Sequence, residues 1–458
     1  MREKSLSPLR VVRSGLCIGC GSCVAQSNSP ATRMDFDPYG QFHPTGDQHW
    51  MRSRSEVLAR TCPFSPSASN EDQIAADLFP AAEPHETIGR FIAAHVGYVA
   101  TGGFRERGSS GGMVSWVLEE LMRRGLIDGA AHVAPVAEPE TDGRFFRYRI
   151  SRSPDEIREG AKSRYYPVEM SEILREIRAN PGRYAVVGVP CFIKAVQLLR
   201  RQDPLLRERI AFTLGLFCGH MKSARFVESF AMQMNVPIEE VQAVEFRKKD
   251  VTRPASTYTA ELTLKDGSIQ KRDWWNLVDG DWGSGFFQYE ACNFCDDVIA
   301  ETADISFGDA WVEPYTSDGR GTNVIVTRSP VVNDLIQAAI EDGRLCLEPV
   351  DEEFVVATQA AGFRQRREGL SYRLTWPKTG LKSVKRVRPA APESRRRRLI
   401  YRTRALVSRW SHRIFWLTQR TGNPILFIRW SKSAMTFYHA LAYSRGELGK
   451  LLDRWGLT

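Results

Sequence analysis

The chain has 458 residues, of which 42% are hydrophobic and 26% charged, a globular composition with room for two or three domains that bury ordinary cores. The opening MREKSLSPLR holds no apolar h-region and no run of about 18 uncharged apolar residues follows, so a cytoplasmic protein without signal peptide or spanning helix is expected. The net charge of +9 is uneven: from Lys378 onward 19 Lys and Arg face three acids (Glu393, Glu447, Asp453), the preceding 377 residues are net acidic, and no nucleic-acid partner is expected.

Residues 1–75 read as a small, polar, loop-like module, with Pro30, Pro38, Pro44, Pro63 and Pro66 interrupting any long element. Within it GLCIGCGSCVAQ sets Cys17, Cys20 and Cys23 at two-residue gaps, which lets three thiolates of one loop turn toward a common centre. In bacterial ferredoxins such a run continues to a fourth cysteine followed by proline. Here Ser27 stands in that place, and the isolated TCPF supplies Cys62 ahead of Pro63. These four cysteines form a candidate [4Fe–4S] site. The competing reading is zinc, which commonly uses two separated Cys-x-x-Cys knuckles instead of a three-plus-one set. In a reducing compartment, nine cysteines are better explained by ligands or redox groups than by disulfides. A linker rich in Ala, Pro and Glu is expected around FPAAEPHE.

From about residue 90 the pattern becomes mixed α/β. HVGYVA, DGAAHVAPVA and FRYRIS read as strands, and GSSGGMVSWVLEELMRRGL as a Gly-rich turn opening an amphipathic helix. SPDEIREGA carries Ser153 as N-cap, Pro154 at the first helical position and Glu156 to complete a capping box. RYAVVGVPCFIKAVQLLRR reads as a strand, a Pro-Cys turn and a helix, and RIAFTLGLFCGH as a second apolar strand, which together imply a parallel βαβ unit. Loops after the carboxyl ends of such strands share the sheet edge where α/β folds bind ligands, so Cys191 and Cys218 are expected to be neighbours. YTAELTLKDGSIQKRDWW reads as a hairpin turning at Asp266-Gly267. CNFCDDVIAETADISFGDAW reads as a Cys-x-x-Cys loop, a short helix and a strand, and residues 323–375 as further mixed α/β. Closure of the Cys292 and Cys295 loop over Cys191 and Cys218 would complete a second four-cysteine site. The alternative is that Cys191 and Cys218 simply pack, as Cys346 in GRLCLEP is expected to.

The Gly-rich turn has two readings of its own. Ser109, Ser110, Gly111 and Gly112 precede a helix whose free N–H groups suit a phosphate, yet Ser-Gly turns before helices also serve as plain N-caps. These stretches, with AKSRYYPVEMSEILREI and LGLFCGHMKS, occur in the order that resembles the coenzyme F-420 hydrogenase/dehydrogenase beta-subunit family, over roughly residues 90 to 350. That family includes 7-hydroxymethyl chlorophyll a reductase-like members, and the CIGCGSC head with CPF resembles the ferredoxin-type segment of its two-cluster members.

The resemblance implies a ferredoxin-type segment over 1–75, an α/β flavin-binding region over 90–178 and a second α/β region with a [4Fe–4S] cluster over 179–375; a helical basic extension over 376–458 lies outside it. It further implies FAD near Ser109, Ser110, Gly111 and Gly112, with Lys162, Ser163, Arg164 and Tyr165 of KSRYYP beside the flavin, and a cluster on Cys191, Cys218, Cys292 and Cys295. By the same resemblance Asp304, Asp309 and Asn323 are candidate cofactor contacts, although an Asp at a strand end is commonly a turn or cap residue. The bland reading of Lys162 to Tyr165 is a solvated basic loop.

Beyond the resemblance, Leu399, Leu406, Trp410, Ile414 and Leu417 recur at helical spacing among Arg402, Arg409, Arg413 and Arg420. Such a helix suits either an anionic bilayer at the inner face of a membrane, or packing of its apolar side on the body or a protein partner with solvated arginines. The expected function is a flavin and iron–sulfur oxidoreductase that takes electrons from a ferredoxin-like donor through two [4Fe–4S] clusters to FAD and on to an organic small molecule. The rival is a non-catalytic electron-transfer subunit of a larger, deazaflavin-linked complex. No catalytic residue is assigned, and self-association is left open.

Overall fold

The computed structural model describes residues 4–378, 380–382 and 385–454. A mixed eight-stranded sheet forms its centre. In chain order the strands are β1 (Ala93–Val99), β2 (Gly129–Pro135), β3 (Phe146–Ser151), β4 (Tyr184–Gly188), β5 (Ile210–Leu216), β6 (Ile305–Asp309), β7 (Asn323–Thr327) and β8 (Leu345–Pro349). They lie in the order β8-β1-β7-β6-β5-β4-β2-β3, with β2, β4, β5 and β6 parallel and the flanking pairs antiparallel. The parallel strands are covered on both faces, which is why β4 is buried at every position and reads as an unbroken apolar run. Helix α1 (Met113–Arg123) follows the Gly-rich turn, and α2 (Pro190–Gln202) is buried from Pro190 through Leu199.

The β4-α2-β5 crossover is the expected parallel unit, with Val186 beside Thr213. It differs from the sequence reading in one detail, since Pro190 and Cys191 form the first turn of α2 and not a separate turn. Proline at the first helical position loses only an N–H that had no partner to find. In β5, Gly215 permits a close approach: a Cβ there would lie 2.3 Å from the Ala300 side chain.

The first 75 residues hold more structure than their prolines suggest. Pro8–Arg13, Gln48–Arg52, Glu56–Thr61 and Glu71–Leu78 are helices, and Arg33–Phe36 pairs with Phe42–Thr45. Each is short enough to fit between prolines, and Ser55 and Asn70 cap two of them. Leu6, Leu16, Ile18 and Phe64 share one core with Ile173, Leu174 and Phe192 of the body. The expected linker is also structured, with Phe79 and Ala82 buried and Glu83–His85 paired to Gly89–Phe91.

Three further expectations need correction. No short helix follows Cys295; a 3-10 turn covers Glu290–Phe294, and the Asp297 carboxylate accepts the N–H groups of Ile299 and Glu301, both at 3.0 Å, an alternative that withdraws them from helix. At the helix Pro154–Glu159, Ser153 accepts the Glu156 N–H at 3.4 Å, but the Glu156 carboxylate accepts from Arg152 N–H at 2.6 Å, so the box is displaced by one residue. Cys346 is exposed, because alternation along edge strand β8 turns it away from the sheet's covered face. The expected hairpin forms with Gly267 at its turn and joins Val241–Lys248 in a three-stranded antiparallel sheet of Val241–Lys248, Thr259–Leu264 and Ile269–Asp273.

The tail is α3 (Arg395–Thr421), α4 (Pro424–Tyr443) and a last helix Gly446–Arg454. Its packed face is not the Leu and Trp stripe. Tyr401, Val407, Ser408, Ser411, His412 and Phe415 face the body, while Leu406, Trp410 and Leu417 are 53%, 43% and 40% exposed. Hydrogen bonding decides the rotation: Ser408 Oγ donates to the Gln288 carbonyl at 2.9 Å, and Ser411 Oγ accepts the Phe287 N–H at 2.9 Å. Among the described residues no helix is long and apolar enough to cross a membrane.

Ion pairs tie the segments together where water is excluded. Lys194 of α2 meets Glu71 at 3.0 Å with both side chains under a tenth exposed, and Arg386 reaches Glu301 at 2.6 Å and Asp72 at 2.9 Å. Removing one partner of such a pair strands a buried charge. Lys194→Ala is expected to cost about 3 to 5 kcal/mol and to lower the denaturation midpoint measured by circular dichroism. An unchanged midpoint would mean that the pair does not hold the first segment to the body.

Candidate functional site

The first cysteine set forms at a loop pressed against the body. Gly21, with φ +80, lies where a Cβ would come within 2.8 Å of the Ser171 backbone nitrogen, so the loop between Cys20 and Cys23 can lie flat only with glycine there. Cys20 and Cys62 are buried, and Cys17 and Cys23 half-buried. Burial raises all four thiols, Cys62 up to about 12, and like charge among them adds to this at Cys23, where Cys17, Cys20 and Cys62 all contribute.

The second set is Cys191 at the start of α2, Cys218 just beyond β5, Cys292 on the 3-10 turn and Cys295 at its C-cap. The βαβ edge brings Cys191 and Cys218 together as the sequence suggests. Burial is the main cause that raises Cys191, followed by Cys295, Cys218 and Cys292, and then by Cys20 of the first set. The two sets therefore belong to one neighbourhood. Two buried tyrosines adjoin both sets: the Tyr148 hydroxyl donates to the Val187 carbonyl at 2.8 Å, and the Tyr289 hydroxyl accepts the Phe42 N–H at 2.9 Å. Besides burial, Cys191 and Cys20 raise Tyr148, and Cys17 and Cys292 contribute to raising Tyr289.

Arg366 closes over the second set. Its Nη2 donates to the carbonyls of Cys218 at 3.1 Å and Gly219 at 2.7 Å, while Nη1 is buried without a hydrogen-bond partner. Burial opposes its charge, but the four thiols Cys295, Cys218, Cys292 and Cys191 outweigh burial and hold the guanidinium more firmly protonated. The Met221 N–H also donates to Cys292 Sγ at 3.3 Å. A buried cation and an N–H aimed at sulfur are what an anionic tetrathiolate cluster needs around it. Among the described residues no three His, Cys, Asp or Glu side chains converge as one ion would require.

The Gly-rich turn meets the other flavin candidates. Ser109 Oγ accepts the Ser163 N–H at 2.8 Å, and Arg247 bonds the Asp309 carboxylate at 2.8 Å and approaches the Ser109 carbonyl at 3.5 Å. Lys249 donates to the carbonyls of Ser110 at 3.1 Å and Arg320 at 2.6 Å, and also to that of Arg105. Lys162 pairs with Glu245 at 2.7 Å. Burial, then the positive charges of Lys162, Arg105 and Arg247, push Lys249 down to about 8.

Tyr165 stands against this group with an aromatic wall, its ring 4.8 Å from Trp282 and 5.5 Å from Trp274. Trp282 in turn stacks on His220 at 4.2 Å, two residues beyond Cys218. His220 Nε2, Trp274 Nε1 and Arg164 Nε are buried without partners. Cations suited to a diphosphate, rings suited to a flat heterocycle and orphaned donors fit a flavin nucleotide.

Ser109, Ser110, Lys162, Ser163, Tyr165 and Asp309 are thus brought together. Asn323 supports them indirectly: its Oδ1 accepts the Met113 N–H at 3.2 Å and its Nδ2 donates to the Gly308 carbonyl at 3.0 Å, which holds Gly111 and Gly112 to the sheet. Arg164 lies over the Phe146 ring at 4.9 Å. Asp304 sits at the other end of β6 from Asp309, and its carboxylate accepts the N–H and hydroxyl of Thr213, both at 2.8 Å. Sequence reasoning missed Arg247, Trp282, His220, Lys222 and Arg366. His220 and Lys222 stand inside a stretch already singled out, LGLFCGHMKS, but Arg366 follows Cys295 by 71 residues with no motif to mark it.

Residues 94–175 match the family model for the N-terminal part of the coenzyme F420 hydrogenase/dehydrogenase beta subunit, and residues 182–353 match the family model for its C-terminal part. The coenzyme F420-dependent sulfite reductase of Methanocaldococcus jannaschii is 22% identical over 312 residues, 65% of this chain and 43% of that protein. Coenzyme F420 hydrogenase subunit beta of Methanothermobacter thermautotrophicus is 21% identical over 253 residues, 53% of this chain and 79% of that one. The chain therefore spans less than half of the sulfite reductase. A chain in the solved F420-reducing [NiFe] hydrogenase complex from Methanosarcina barkeri shares the fold, with a TM-score of 0.50 and 17% identity over 66% of this chain and 99% of that one. The first cysteine set and Arg366 lie outside both matched regions, and the second set lies inside.

Lys222 gives the site a measurable pH signature. Its ammonium is fully buried, donates to the Phe286 carbonyl at 2.6 Å and lies between the Phe226 and Trp282 rings at 4.5 and 4.8 Å. Burial, against the pull of Asp279, pushes it down to about 7. Between that value and the ordinary 10.5 the unfolded chain binds one proton more than the folded one, so stability rises with pH by up to ~1.4 kcal/mol per unit. Lys222→Met is expected to remove this slope in denaturant titrations from pH 7.5 to 9.5; a slope unchanged in the variant would refute the assignment.

Proposed function

The chain belongs to the coenzyme F420 hydrogenase/dehydrogenase beta-subunit family, and from that membership we propose that it is an oxidoreductase of the cytoplasm holding two [4Fe–4S] clusters and FAD. Cys17, Cys20, Cys23 and Cys62 ligate one cluster, and Cys191, Cys218, Cys292 and Cys295 the other. The observation that carries this reading is continuity: all of the two cysteine sets but Cys218 line one core, Cys218 acts on Cys191 across it, and His220, Trp282 and Tyr165 lead from Cys218 toward Asp309 and the Gly-rich turn. When bound, the clusters supply one-electron transfer and the flavin couples it to two-electron chemistry on an organic substrate.

The protein's own groups do the rest. Lys249, with Arg247 and Lys162 nearby, would hold the diphosphate, Tyr165 and Trp282 would contact the ring system, and Arg366 would offset negative charge at the second cluster. A ferredoxin-like protein is the donor. A second reading, an electron-relaying subunit that serves a deazaflavin coenzyme within a larger complex, is favoured by relatives that are themselves named as subunits of hydrogenases and dehydrogenases. The two readings part on turnover: the relay is reduced by its donor but converts no small substrate by itself.

Anaerobically purified protein is expected to contain about eight iron, eight labile sulfide and one FAD per chain, and to bleach with dithionite. Stoichiometric zinc without sulfide or flavin would overturn the proposal. Cys62→Ser and Cys292→Ser should each remove about half of the iron. In Arg366→Gln the iron content should persist while one reduction potential falls by on the order of 60 mV, read by EPR-monitored titration, because loss of the cation disfavours the more negative state. Unshifted potentials would leave Arg366 with a packing role only.

A further inference from the structure

We propose that the outer face of α3 is a docking surface for an anionic lipid bilayer, so that the protein works as a peripheral membrane protein. From Arg395 to Tyr443 the chain contains no acidic residue. Arg402, Arg409, Arg413 and Arg420 recur at intervals of seven, four and seven, which aligns them along one side of the helix over about 27 Å. All four are exposed. Among the described residues only Arg409 has a carboxylate within reach, Glu290 at 3.6 Å.

Beside that line stand Leu406, Trp410 and Leu417, among the most exposed large apolar side chains of the chain. Arg413 lies over the Trp410 ring at 5.2 Å and Arg420 over Trp416 at 4.4 Å. Cations held at indole faces, with leucines alongside, match the boundary of a bilayer, where headgroup phosphates meet acyl chains.

Packing supplies the second argument. The opposite side of α3 is held to the body by Ser408, Ser411 and Arg404, the last donating to Gln288 Oε1 at 2.9 Å. The helix therefore lies lengthwise with its rotation set, and its arginines can meet one plane together without unfolding anything. A bilayer offers both phosphates and apolar depth along that whole length, whereas an acidic protein segment would leave the leucines and indole without a partner.

Vesicle cosedimentation of the full chain tests this. Vesicles with about 30% phosphatidylglycerol in phosphatidylcholine should carry the protein down at about 0.1 M salt and release most of it at about 0.5 M, and pure phosphatidylcholine should not bind it. Arg413→Glu with Arg420→Glu should lower partitioning by roughly tenfold or more, with an unchanged melting temperature because both side chains are exposed. Trp410→Ser with Leu417→Ser should weaken binding even at the lower salt. Protein that stays in the supernatant with anionic vesicles, or that binds equally well after charge reversal, would overturn the proposal. Because the assay reads neither iron nor flavin, its outcome is separate from that of the redox reading.

Discussion

Eight thiols gathered into one apolar neighbourhood set the constraint around which the molecule is organised. Ionising any of them there is opposed by burial and by the others, so the core is compatible with thiolates only if positive charge is brought in as well. The protein supplies part of it: Arg366 reaches the second set from a helix far along the chain, and Lys194 and Lys385 act on Cys62 and Cys295. Segments distant in sequence are thereby committed to the same centre. The buried pairs Lys194–Glu71 and Lys385–Asp296 then balance cations that a wholly apolar core would not tolerate.

The same economy of charge shapes the neighbouring site. Arg247 is satisfied by Asp309 and by the rings of Tyr258 and Trp311 at 4.3 and 5.5 Å, whereas Lys249 has only backbone carbonyls as hydrogen-bond acceptors. One cation is paired with a carboxylate and the other bonds only main-chain oxygens. Arg247 lies near the end of the strand Val241–Lys248 and Lys249 follows it, and Arg247 meets Asp309 at the carboxyl end of β6, the kind of edge where open α/β folds bind their ligands.

What was legible in the sequence followed from local rules. The βαβ pairing of β4 and β5 rests on apolar runs, and it correctly placed Cys191 beside Cys218. The Gly-rich turn before α1 and the Asp266-Gly267 hairpin were equally local. The misses have a common physical origin in partners that are remote or polar. The turn after Cys295 is governed by Asp297 bonding its own backbone, and α3 is rotated by serines that bond the Gln288 and Phe287 main chain. Periodicity counts apolar residues, so it left open whether the Leu and Trp stripe packs on the body or faces a bilayer, and it could not see a polar face being selected by hydrogen bonds. Asp304 and Asp309 show the same limit, since one strand separates a carboxylate spent on Thr213 from one that faces Arg247.

Helix α3 touches the centre from outside. Through Ser408 and Arg404 it grips Gln288, four residues before Cys292, and Arg404 also donates to His220 Nδ1 at 3.2 Å, beside Cys218. These bonds run directly from the helix to the loops that carry the two cysteines. The outermost helix and the loops beside the second cysteine set therefore share one group of buried hydrogen bonds, so the position of α3 and the wall at His220 and Gln288 are fixed by the same contacts.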